Sequence, residues 1–400
     1  MSQAEKTEKV ITAAQRAEME RFQPMWKIVL TQFFEHRMAV VGLCVISFFI
    51  AVALLAPIIA SVTGLDSERQ NALNRYKPIN SYVTVSTDER EAKVTEFIKD
   101  HADEASALQV ELMTKGLVQP PRPEDALFEL VGKEPQEALK ILAQIPTEPA
   151  THLAKVVRDF ESHHWLGTDE LGRDVFIRLV YGTRVSMGVG ILVAIASSLI
   201  GLLIGALAGY YGGAVDTILM RVTDSLLSLP ILPIQIVIAA IDLNKVPGLG
   251  FLVGDENQSI YKLVFILVLF SWMTVALLVR GSILSLRERE FILAAKTLGA
   301  TDATIIFRHM FPNVVAPMLV SVTLGVGESI LWEAALSFLG LGIQQPTPSW
   351  GNMLFNAQDL MTEAPFLAIL PGLLILATTI SFNYLGDGLQ DAIDPKAIRR

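Results

Sequence analysis

Six long apolar runs, separated by polar segments, set the pattern of this chain. They cover approximately residues 39–60, 185–209, 218–241, 263–279, 314–341 and 366–385. A helix needs about 20 apolar residues to cross the ~30 Å hydrocarbon core of a bilayer. None of the runs is strongly periodic, and helices that are apolar on all sides are typical of membrane spans. The pattern therefore predicts an all-α, polytopic membrane protein with six transmembrane helices.

The polar segments define the rest of the organisation. We expect a cytoplasmic N-terminal segment (1–38), a first span (39–61), an extracytoplasmic insertion (62–163), a core containing the other five spans (164–385) and a cytoplasmic tail (386–400). The first apolar run begins too far into the chain, and is too long, for a typical cleaved signal peptide. It is therefore expected to remain as a helix.

The insertion differs from its surroundings in being charge-rich and poor in glycine. Helical patterns run through residues 88–115 and 123–160, and they are interrupted by Pro120, Pro121, Pro123, Pro146 and Pro149. This predicts several short helices in place of one long rod. Two roles stay open for the insertion: a solvated structural cap, and a docking site for a partner.

Composition supports a membrane protein, with 52% hydrophobic and only 18% charged residues and a mean hydropathy of +0.45. Soluble domains carry about 25% charged residues. The net charge of −9 argues against a nucleic-acid binder, which usually has a clustered basic surface. Residues 62–184 hold 21 acidic and 15 basic residues, which accounts for −6 of the −9. The acidity therefore belongs mainly to the insertion.

Basic residues give the orientation, because short loops rich in Lys and Arg stay on the cytoplasmic side. The first 38 residues carry six, the loop 280–312 carries five and the tail carries three, whereas 242–262 carries two and 342–365 none. With six spans, the three basic segments lie on one side. Both termini are therefore expected to be cytoplasmic.

Several chemistries are excluded by what the sequence lacks. Cys44 is the only cysteine, so neither an intrachain disulfide nor a cysteine-ligated zinc site can form, and its apolar surroundings predict a small buried hydrophobe. There is no Walker A pattern, and no GxGxxG follows a plausible strand. The chain is expected to bind no nucleotide, cofactor or metal and to catalyse no reaction, so a partner must hydrolyse any ATP that is used.

Three glycines repeat every four residues on the second span, at Gly201, Gly205 and Gly209. This spacing places them near one helical face, where small residues allow another helix to approach closely. We interpret the series as a helix-packing surface.

The loop between the fourth and fifth spans carries the most informative motif. It reads Arg287-Glu-Arg-Glu-Phe-Ile-Leu-Ala-Ala-Lys-Thr-Leu-Gly299-Ala-Thr-Asp-Ala-Thr-Ile-Ile-Phe-Arg-His-Met-Phe-Pro312. It resembles the EAA loop of ABC-transporter permeases, a pattern of Glu-Ala-Ala, three residues, Gly, nine residues, Ile, one residue and Leu-Pro. Matches at the family spacing are Ala294, Ala295, Gly299 and Pro312, and departures from it are Leu293, His309 and Phe311.

The spacing suits a lever that docks into a separate ATPase. Residues 291–298 are predicted to form a short helix, which Gly299 ends by adopting φ > 0. Asp302 or Thr301 then caps a second helix that runs to Phe311, and Pro312 marks the re-entry into the membrane. Because position 293 has no acid, docking must rely on apolar packing, with Glu290 or Lys296 at the edge.

Two more segments resemble the C-type permease subunit of oligopeptide and dipeptide importers. One is His164-Trp-Leu-Gly-Thr-Asp-Glu-Leu-Gly-Arg-Asp-Val175 with Tyr181-Gly-Thr-Arg184, and the other is Glu333-Ala-Ala-Leu-Ser-Phe-Leu-Gly-Leu-Gly342 with Pro346-Thr-Pro-Ser-Trp-Gly351. The N-terminal Phe34-Glu-His-Arg-Met-Ala-Val-Val-Gly42 is also similar. The resemblance covers about 30–60 and 163–400.

The resemblance implies a permease subunit of an ATP-driven importer of peptides or a related small solute in the cytoplasmic (inner) membrane. Its implied partners are a homologous permease subunit, two ATP-binding cassette subunits that bind ATP and Mg, and an extracytoplasmic solute-binding protein. Within the pattern, we read Thr168–Asp174 as a capped amphipathic helix with a structural role.

Polar residues inside the spans are candidates for the translocation path, because a charge there should face protein or water. Glu328 and Glu333 are five residues apart, so they point in different directions and cannot both face one site. Either acid can meet a substrate amine or an ordered hydrogen-bond network. Other candidates are Trp272 and Trp332, while Trp350 is better explained as an interfacial anchor. Arg221 and Asp224 are expected to pair along the third span.

Two other classes of membrane protein are alternatives. An ion-coupled secondary transporter often shows internal repeats with broken helices, and the spans contain candidate breaks at Pro57, Pro230, Pro233, Pro317 and Pro371. No convincing two-half repeat is visible, however. A receptor or scaffold anchored by its helices has no use for an EAA-like loop.

Overall fold

The structure, a computed structural model, describes residues 25–68, 70, 74–158, 160–241, 258–355, 359 and 361–393. Most of the predicted N-terminal segment, most of the connection 242–262 and the end of the tail lie outside these residues. So do many of the basic residues that carry the predicted orientation, including Lys6, Lys9, Arg16, Arg21, Lys245, Lys396, Arg399 and Arg400.

Helices dominate the described part of the chain. Contacts divide it into two compact units, which we call the membrane unit (Met1–Ala56 with Leu179–Arg400) and the insert unit (Pro57–Arg178). Two long helices, α2 and α8, contribute residues to both. The helices before the third span are α1 (Met25–Glu35), α2 (Arg37–Thr63), α3 (Thr87–Asp100), α4 (Ala102–Thr114), α5 (Ala126–Gly132), α6 (Pro135–Leu142), α7 (Glu148–Arg158) and α8 (Val175–Tyr211).

The remaining helices belong to the membrane unit. They are α9 (Gly213–Leu227), α10 (Ile231–Ala240), α11 (Gln258–Arg287), α12 (Glu290–Thr297), α13 (Asp302–Phe338), α14 (Trp350–Met353) and α15 (Phe366–Ile393). Five helices are long and apolar enough to cross a membrane, namely α2, α8, α11, α13 and α15. The chain is therefore a multi-pass membrane protein.

The predicted span 218–241 is not one straight helix. It consists of α9 and α10, which meet at an angle of 83°. Pro230 lies at the break, where a proline can neither donate a backbone hydrogen bond nor fit the preceding turn. In contrast, Pro57, Pro317 and Pro371 lie inside continuous helices. Neighbouring helices and local adjustment make such prolines tolerable in membrane spans.

Both ends of this bent pair contact α11. Near the start of α9, the carboxylate of Asp216 accepts two hydrogen bonds of 2.5 and 2.6 Å from the Arg280 guanidinium of α11. Just after the end of α10, the Ile241 carbonyl accepts a hydrogen bond of 2.9 Å from the Lys262 ammonium of α11. The two α11 residues are 18 positions apart, or about 27 Å along a helix that rises 1.5 Å per residue. The pair thus runs antiparallel to α11 over most of the thickness of a bilayer core.

The glycine series of α8 lies against α11. A Cβ atom on Gly201 would come within 3 Å of Val275, one on Gly205 within 3 Å of Val279, and one on Gly209 within 3 Å of Ile283. Residue numbers rise together on the two helices, so α8 and α11 are parallel. The absence of side chains at these glycines is what allows the two backbones to approach each other.

The insert unit contains the short helices predicted for it. Helices α3 to α7 surround their own core, whose fully buried members include Val94, Leu108, Leu127, Leu153 and Phe160. The Arg90 side chain is buried and donates to the carbonyls of Val85, Val131 and Lys133, which joins α3 to the end of α5. We call residues 86–159 the helical insert.

A two-stranded antiparallel sheet, absent from the sequence prediction, closes the helical insert. It pairs β1 (Ser81–Thr84) with β2 (Glu161–His164), with Thr84 opposite Glu161. The Val85 amide then donates to the Phe160 carbonyl at 2.8 Å. The insert therefore leaves and rejoins the chain at two adjacent points.

The predicted amphipathic helix at Thr168–Asp174 is wrong. This segment is an irregular loop, because the Asp169 carboxylate accepts the amides of Leu171 and Arg173 and holds the chain in a turn. Asp174 then caps α8 by accepting the Ile177 amide at 2.8 Å. The cap therefore belongs to the long helix that follows and not to a helix at Thr168–Asp174.

Candidate functional site

The loop between α11 and α13 has the backbone that its sequence predicts. Helix α12 ends at Thr297, and Gly299 follows with φ +78°. The Ala300 amide donates to the Ala295 carbonyl, and the Gly299 amide donates to the Lys296 carbonyl, at 3.1 and 3.0 Å. These two bonds form a Schellman motif, which favours glycine because the left-handed conformation crowds a Cβ atom.

The second helix of the loop has a predicted cap but not the predicted length. Of the two caps considered, Asp302 and Thr301, the structure shows Thr301, whose side chain accepts the Thr304 amide. The helix does not end at Phe311 but continues to Phe338 through a π-helical turn at Ile305–Met310. Pro312 lies directly after that turn, where regular α-helix resumes. The predicted end of the helix at Phe311 is therefore wrong.

Buried apolar residues fix this loop to the spans. Ile292 of α12 and Ile305 and Met310 of α13 are buried, and they share a cluster with Val279 and Ile283 of α11. The loop is therefore held in place by packing and is not a free connection.

Tyr210, at the end of α8, forms a second anchor for the loop. Its hydroxyl donates to the Asp302 carboxylate at 2.5 Å, and its carbonyl accepts from Arg287 at 3.3 Å. The Lys296 ammonium lies 5.2 Å from the centre of its ring. Lys296, expected at the edge of a docking surface, thus lies against α8. Sequence reasoning missed Tyr210, whose only signal is its place at the end of an apolar run.

Four large apolar side chains of the loop are exposed and take no part in these anchors. Leu298 is 88% exposed, Phe307 71%, Leu293 51% and Phe291 46%. Ala294, Gly299 and Pro312 are also exposed, and Ala295 is half-buried. We call Phe291, Leu293, Leu298 and Phe307 the loop's exposed apolar residues. Exposed apolar patches of this kind mark surfaces for protein or lipid partners.

Glu333 occupies the other polar site of the membrane unit. It is fully buried in α13 and accepts hydrogen bonds from the hydroxyls of Ser186, Ser337 and Ser349 at 2.9, 2.8 and 2.9 Å. These serines come from α8, α13 and the segment before α14, so a single carboxylate joins three parts of the chain.

Each serine in this network also accepts a backbone amide. Trp350 donates to Ser186, Ile343 to Ser337 and Asn352 to Ser349. Each hydroxyl proton is therefore free to point at Glu333, which gives a buried acid the donors that it needs. Of the two environments considered for this acid, the structure places it in the ordered hydrogen-bond network.

Trp350 was expected to be an interfacial anchor, and this prediction is wrong. It is fully buried, its indole N–H donates to the Leu179 carbonyl at 3.3 Å, and its ring makes an edge contact with Phe49. Gly351 follows it, and a Cβ atom there would lie 2.8 Å from the Glu333 carboxylate. Trp350 and Gly351 thus complete the packing around the Glu333 network.

The other path candidates have separate surroundings. Glu328 is exposed and accepts from the Trp332 indole at 3.4 Å, whereas Trp332 is half-buried. Trp272 is 9% exposed and packs with residues of α8, α9 and α10. As the spacing predicts, Glu328 and Glu333 face different directions.

Two minor expectations are wrong. Cys44 is exposed and not buried, because it lies on a face of α2 that no other helix of the described chain covers. Among the described residues, Arg221 and Asp224 form no ion pair, and the charge pair in this region is Asp216 with Arg280 of α11.

Two known protein families match this chain, and the matched residues include most of the membrane unit. Residues 201–399 match the family described as binding-protein-dependent transport system inner membrane component. Residues 24–78 match the N-terminal transmembrane domain of oligopeptide transport permease C. The two matches contain the segments 34–42, 287–312 and 333–351 that carry the sequence resemblance, whereas the segment 164–184 lies between them.

Individual relatives are similar over more than half of this chain. The dipeptide transport system permease protein DppC of Alkalihalophilus pseudofirmus is 41% identical over 235 residues, which are 59% of this chain and 73% of the relative. The glutathione transport system permease protein GsiD of Pectobacterium atrosepticum is 43% identical over equal shares. The oligopeptide transport system permease protein OppC of Bacillus subtilis is 36% identical over 62% of this chain and 76% of the relative.

The loop between α11 and α13 and the Glu333 side chain both lie within residues 201–399, which match the first family. The members of this family are membrane components and not ATPases. The chain belongs to the family of inner-membrane components of binding-protein-dependent transport systems, the permease subunits of ABC importers.

Proposed function

We propose that this chain is one of two permease subunits of an importer for peptides or a related small solute in the cytoplasmic membrane. The relatives named for dipeptide, oligopeptide and glutathione transport support this substrate class. The chain forms the translocation path with a homologous partner permease. Two cytoplasmic ATPases bind ATP and Mg, and an outer binding protein delivers the solute.

The bent pair of α9 and α10 completes a topology of six crossings in this proposal. Because α8 and α11 are parallel, the chain between them must return across the membrane. The contacts of Asp216 with Arg280 and of Ile241 with Lys262 support a return over the full length of α11. Six crossings leave both termini on one side, and the basic loop 280–312 favours the cytoplasm for that side.

The loop's exposed apolar residues are the observation that supports a coupling function. Leu293, Ala294, Ala295, Gly299 and Pro312 fall in the segment that resembles the family's ATPase-docking motif. Leu298 and Phe307 project from a loop that is itself fixed by Ile292 and Tyr210. A force applied by an ATPase to these residues therefore passes to α8, α11 and α13. ATP-dependent closure of the ATPases then shifts the permease pair between outward-facing and inward-facing states.

The translocation path is proposed along the face of α13 that carries Glu328 and Trp332. An exposed acid in a membrane span should face water or another protein chain and not lipid. Glu328 therefore faces the path or the partner permease. Trp272 and Glu333 are buried within this chain, which makes both of them supports of the path and not groups that touch solute.

An ion-coupled secondary transporter is the alternative, and the broken span α9–α10 is the observation that favours it. Such transporters usually break corresponding spans in two related halves. Among the described spans, only this one is broken, so the alternative is the weaker one.

Leu298→Ser tests the docking surface. The side chain is almost fully exposed, so the substitution should leave the fold of this chain intact while removing apolar contact area from the ATPase interface. We expect the ATPase subunits to be lost from the purified complex, or their stimulation by the binding protein to fall at least about tenfold, equivalent to 1.4 kcal/mol.

Met361→Ser is the matched control, because Met361 is 61% exposed but lies between α14 and α15, outside the loop. It should leave the ATPases bound. Equal retention of the ATPases and equal stimulated hydrolysis in Leu298→Ser and wild type would contradict the assignment.

A further inference from the structure

We propose that the helical insert binds a divalent transition-metal ion, with Zn²⁺ as the best fit, through His101, Glu104 and His152. This inference concerns the insert unit alone and does not depend on the transport function. The three residues bring one ligand atom each to within 4.8 Å of one another.

The ligands come from two places that are far apart in the sequence. His101 is the single residue between α3 and α4, and Glu104 follows in the first turn of α4. His152 lies on α7, which packs against α4. Folding of the insert is therefore required to assemble the cluster.

The carboxylate of Glu104 lies between the two imidazoles. Its Oε2 is 3.0 Å from Nδ1 of His152, and its Oε1 is 3.7 Å from Nδ1 of His101. The two rings are 5.7 Å apart between centroids. In a tetrahedral zinc site with bonds of about 2.0 to 2.2 Å, neighbouring ligand atoms are about 3.4 Å apart. Small side-chain rotations therefore bring the three atoms to that geometry.

Buried residues hold the backbone beneath the cluster. Ala105 and Leu108 follow Glu104 into the core, and Leu153 follows His152. The His101 ring packs on the Phe97 ring, with 5.3 Å between centroids. The backbone carbonyl of His101 accepts a hydrogen bond from the Ala105 amide. The ligands thus project from fixed positions, while their side chains stay 35 to 44% exposed and open to an ion from solvent. Fixed ligand backbones lower the entropy that is lost on binding.

The donor set selects the class of ion. Two imidazole nitrogens and one carboxylate oxygen suit Zn²⁺, Ni²⁺ and Cu²⁺, whereas Mg²⁺ and Ca²⁺ prefer oxygen ligands alone. Three protein ligands leave a fourth position for water. The bound ion would join the α3–α4 junction to α7, and the insert should resist unfolding better with the ion than without it.

The test uses the full-length chain, purified in detergent without a histidine tag and freed of metal with EDTA. Zn²⁺ is titrated by calorimetry, and Co²⁺ is added separately to read the visible absorption of a four-coordinate site. We expect one saturable ion per chain. Each of His101→Asn, Glu104→Gln and His152→Asn should weaken Zn²⁺ binding by more than about tenfold.

His163→Asn is the matched control, because His163 is a histidine of the same unit that contacts Asn80 and stacks on Tyr82, outside the cluster. It should bind Zn²⁺ as wild type does. Far-UV circular dichroism checks folding, and Glu104→Gln preserves side-chain size should a histidine variant fail to fold. The absence of saturable binding, or equal binding by Glu104→Gln and wild type, would overturn the proposal.

Discussion

At the scale of single residues, Glu333 shows how a buried acid becomes part of the structure. One carboxylate accepts three hydroxyl protons, and each hydroxyl is in turn occupied by a backbone amide. Removing the carboxylate leaves three buried hydroxyl protons without an acceptor, each costing about 1 to 3 kcal/mol. The network ties α8 to the segment between α13 and α14.

We therefore predict that Glu333→Leu lowers the thermal unfolding midpoint of the detergent-purified chain strongly, and that Glu333→Gln lowers it less. Glutamine keeps one oxygen for Ser337 and Ser349 and loses only the acceptor of Ser186. Glu328→Gln, an exposed acid of the same helix, is the control and should change the midpoint little. Similar midpoints for the Glu328 and Glu333 variants would show that the network does not stabilise the fold.

Sequence reasoning located these residues but not their surroundings. Glu333 was recognised as an acid that must avoid lipid, yet its donors lie 147 residues before it and 16 residues after it. Trp350 looked interfacial because it follows a polar, proline-rich segment, whereas the fold covers it completely. Cys44 looked buried because its neighbours are apolar, but in a membrane helix an apolar neighbourhood also describes the lipid-facing side.

At the scale of elements, close approach of α8 and α11 depends on the absence of side chains. A Cβ atom on Gly205 would come too close to the Ala276 carbonyl, whereas Gly188 on the same helix has no atom within 4 Å of that position. Replacing glycine with alanine is therefore expected to change the stability of the chain in opposite directions at the two sites.

We predict that Gly205→Ala destabilises the chain by about 1 to 3 kcal/mol, because the two backbones must move apart. Gly188→Ala should be neutral or stabilising by up to about 1 kcal/mol, because alanine is the better helix former. Unfolding midpoints in one detergent measure both. If the two variants ranked equally, the tight contact would not be a determinant of the packing.

The spans themselves were predictable, because apolar length is a property of local sequence. Two interruptions were not located. Five prolines lay in apolar runs, and only the one between α9 and α10 coincides with a break, since the others are tolerated by their surroundings. The other is the π-helical turn at Ile305–Met310, through which α13 continues past Phe311, the residue at which the second helix of the loop was expected to end. The glycine turn at Gly299 was predictable because positive φ is a local requirement.

At the scale of the whole molecule, the helical insert is a separable part of the chain. Its helices share one core, and it joins the chain at Val85 and Phe160, whose backbones are hydrogen-bonded. Sequence predicted its helices but not the hairpin, because β1 and β2 have only four residues each and β2 is polar. We propose that the insert contacts the binding protein or the partner permease.

Replacing residues 86–159 with Asn-Gly tests this role. The substitution joins β1 and β2 by a two-residue turn, which suits the existing antiparallel register. Phe160→Thr accompanies it, because Phe160 would lose the core that buries it. We expect insertion into the membrane and ATPase binding to persist, while affinity for the binding protein or the partner permease falls at least about tenfold. Unchanged affinities and uptake would leave the insert as a solvated cap.

In the proposed mechanism, this chain moves solute only when partner ATPases act on its loop. Uptake of a labelled dipeptide into proteoliposomes measures this requirement, using the complex that co-purifies with this chain together with its binding protein. We expect uptake that requires ATP on the ATPase side and persists when an uncoupler dissipates ion gradients. Uptake by the chain alone, driven by an ion gradient without ATP and abolished by the uncoupler, would contradict this mechanism.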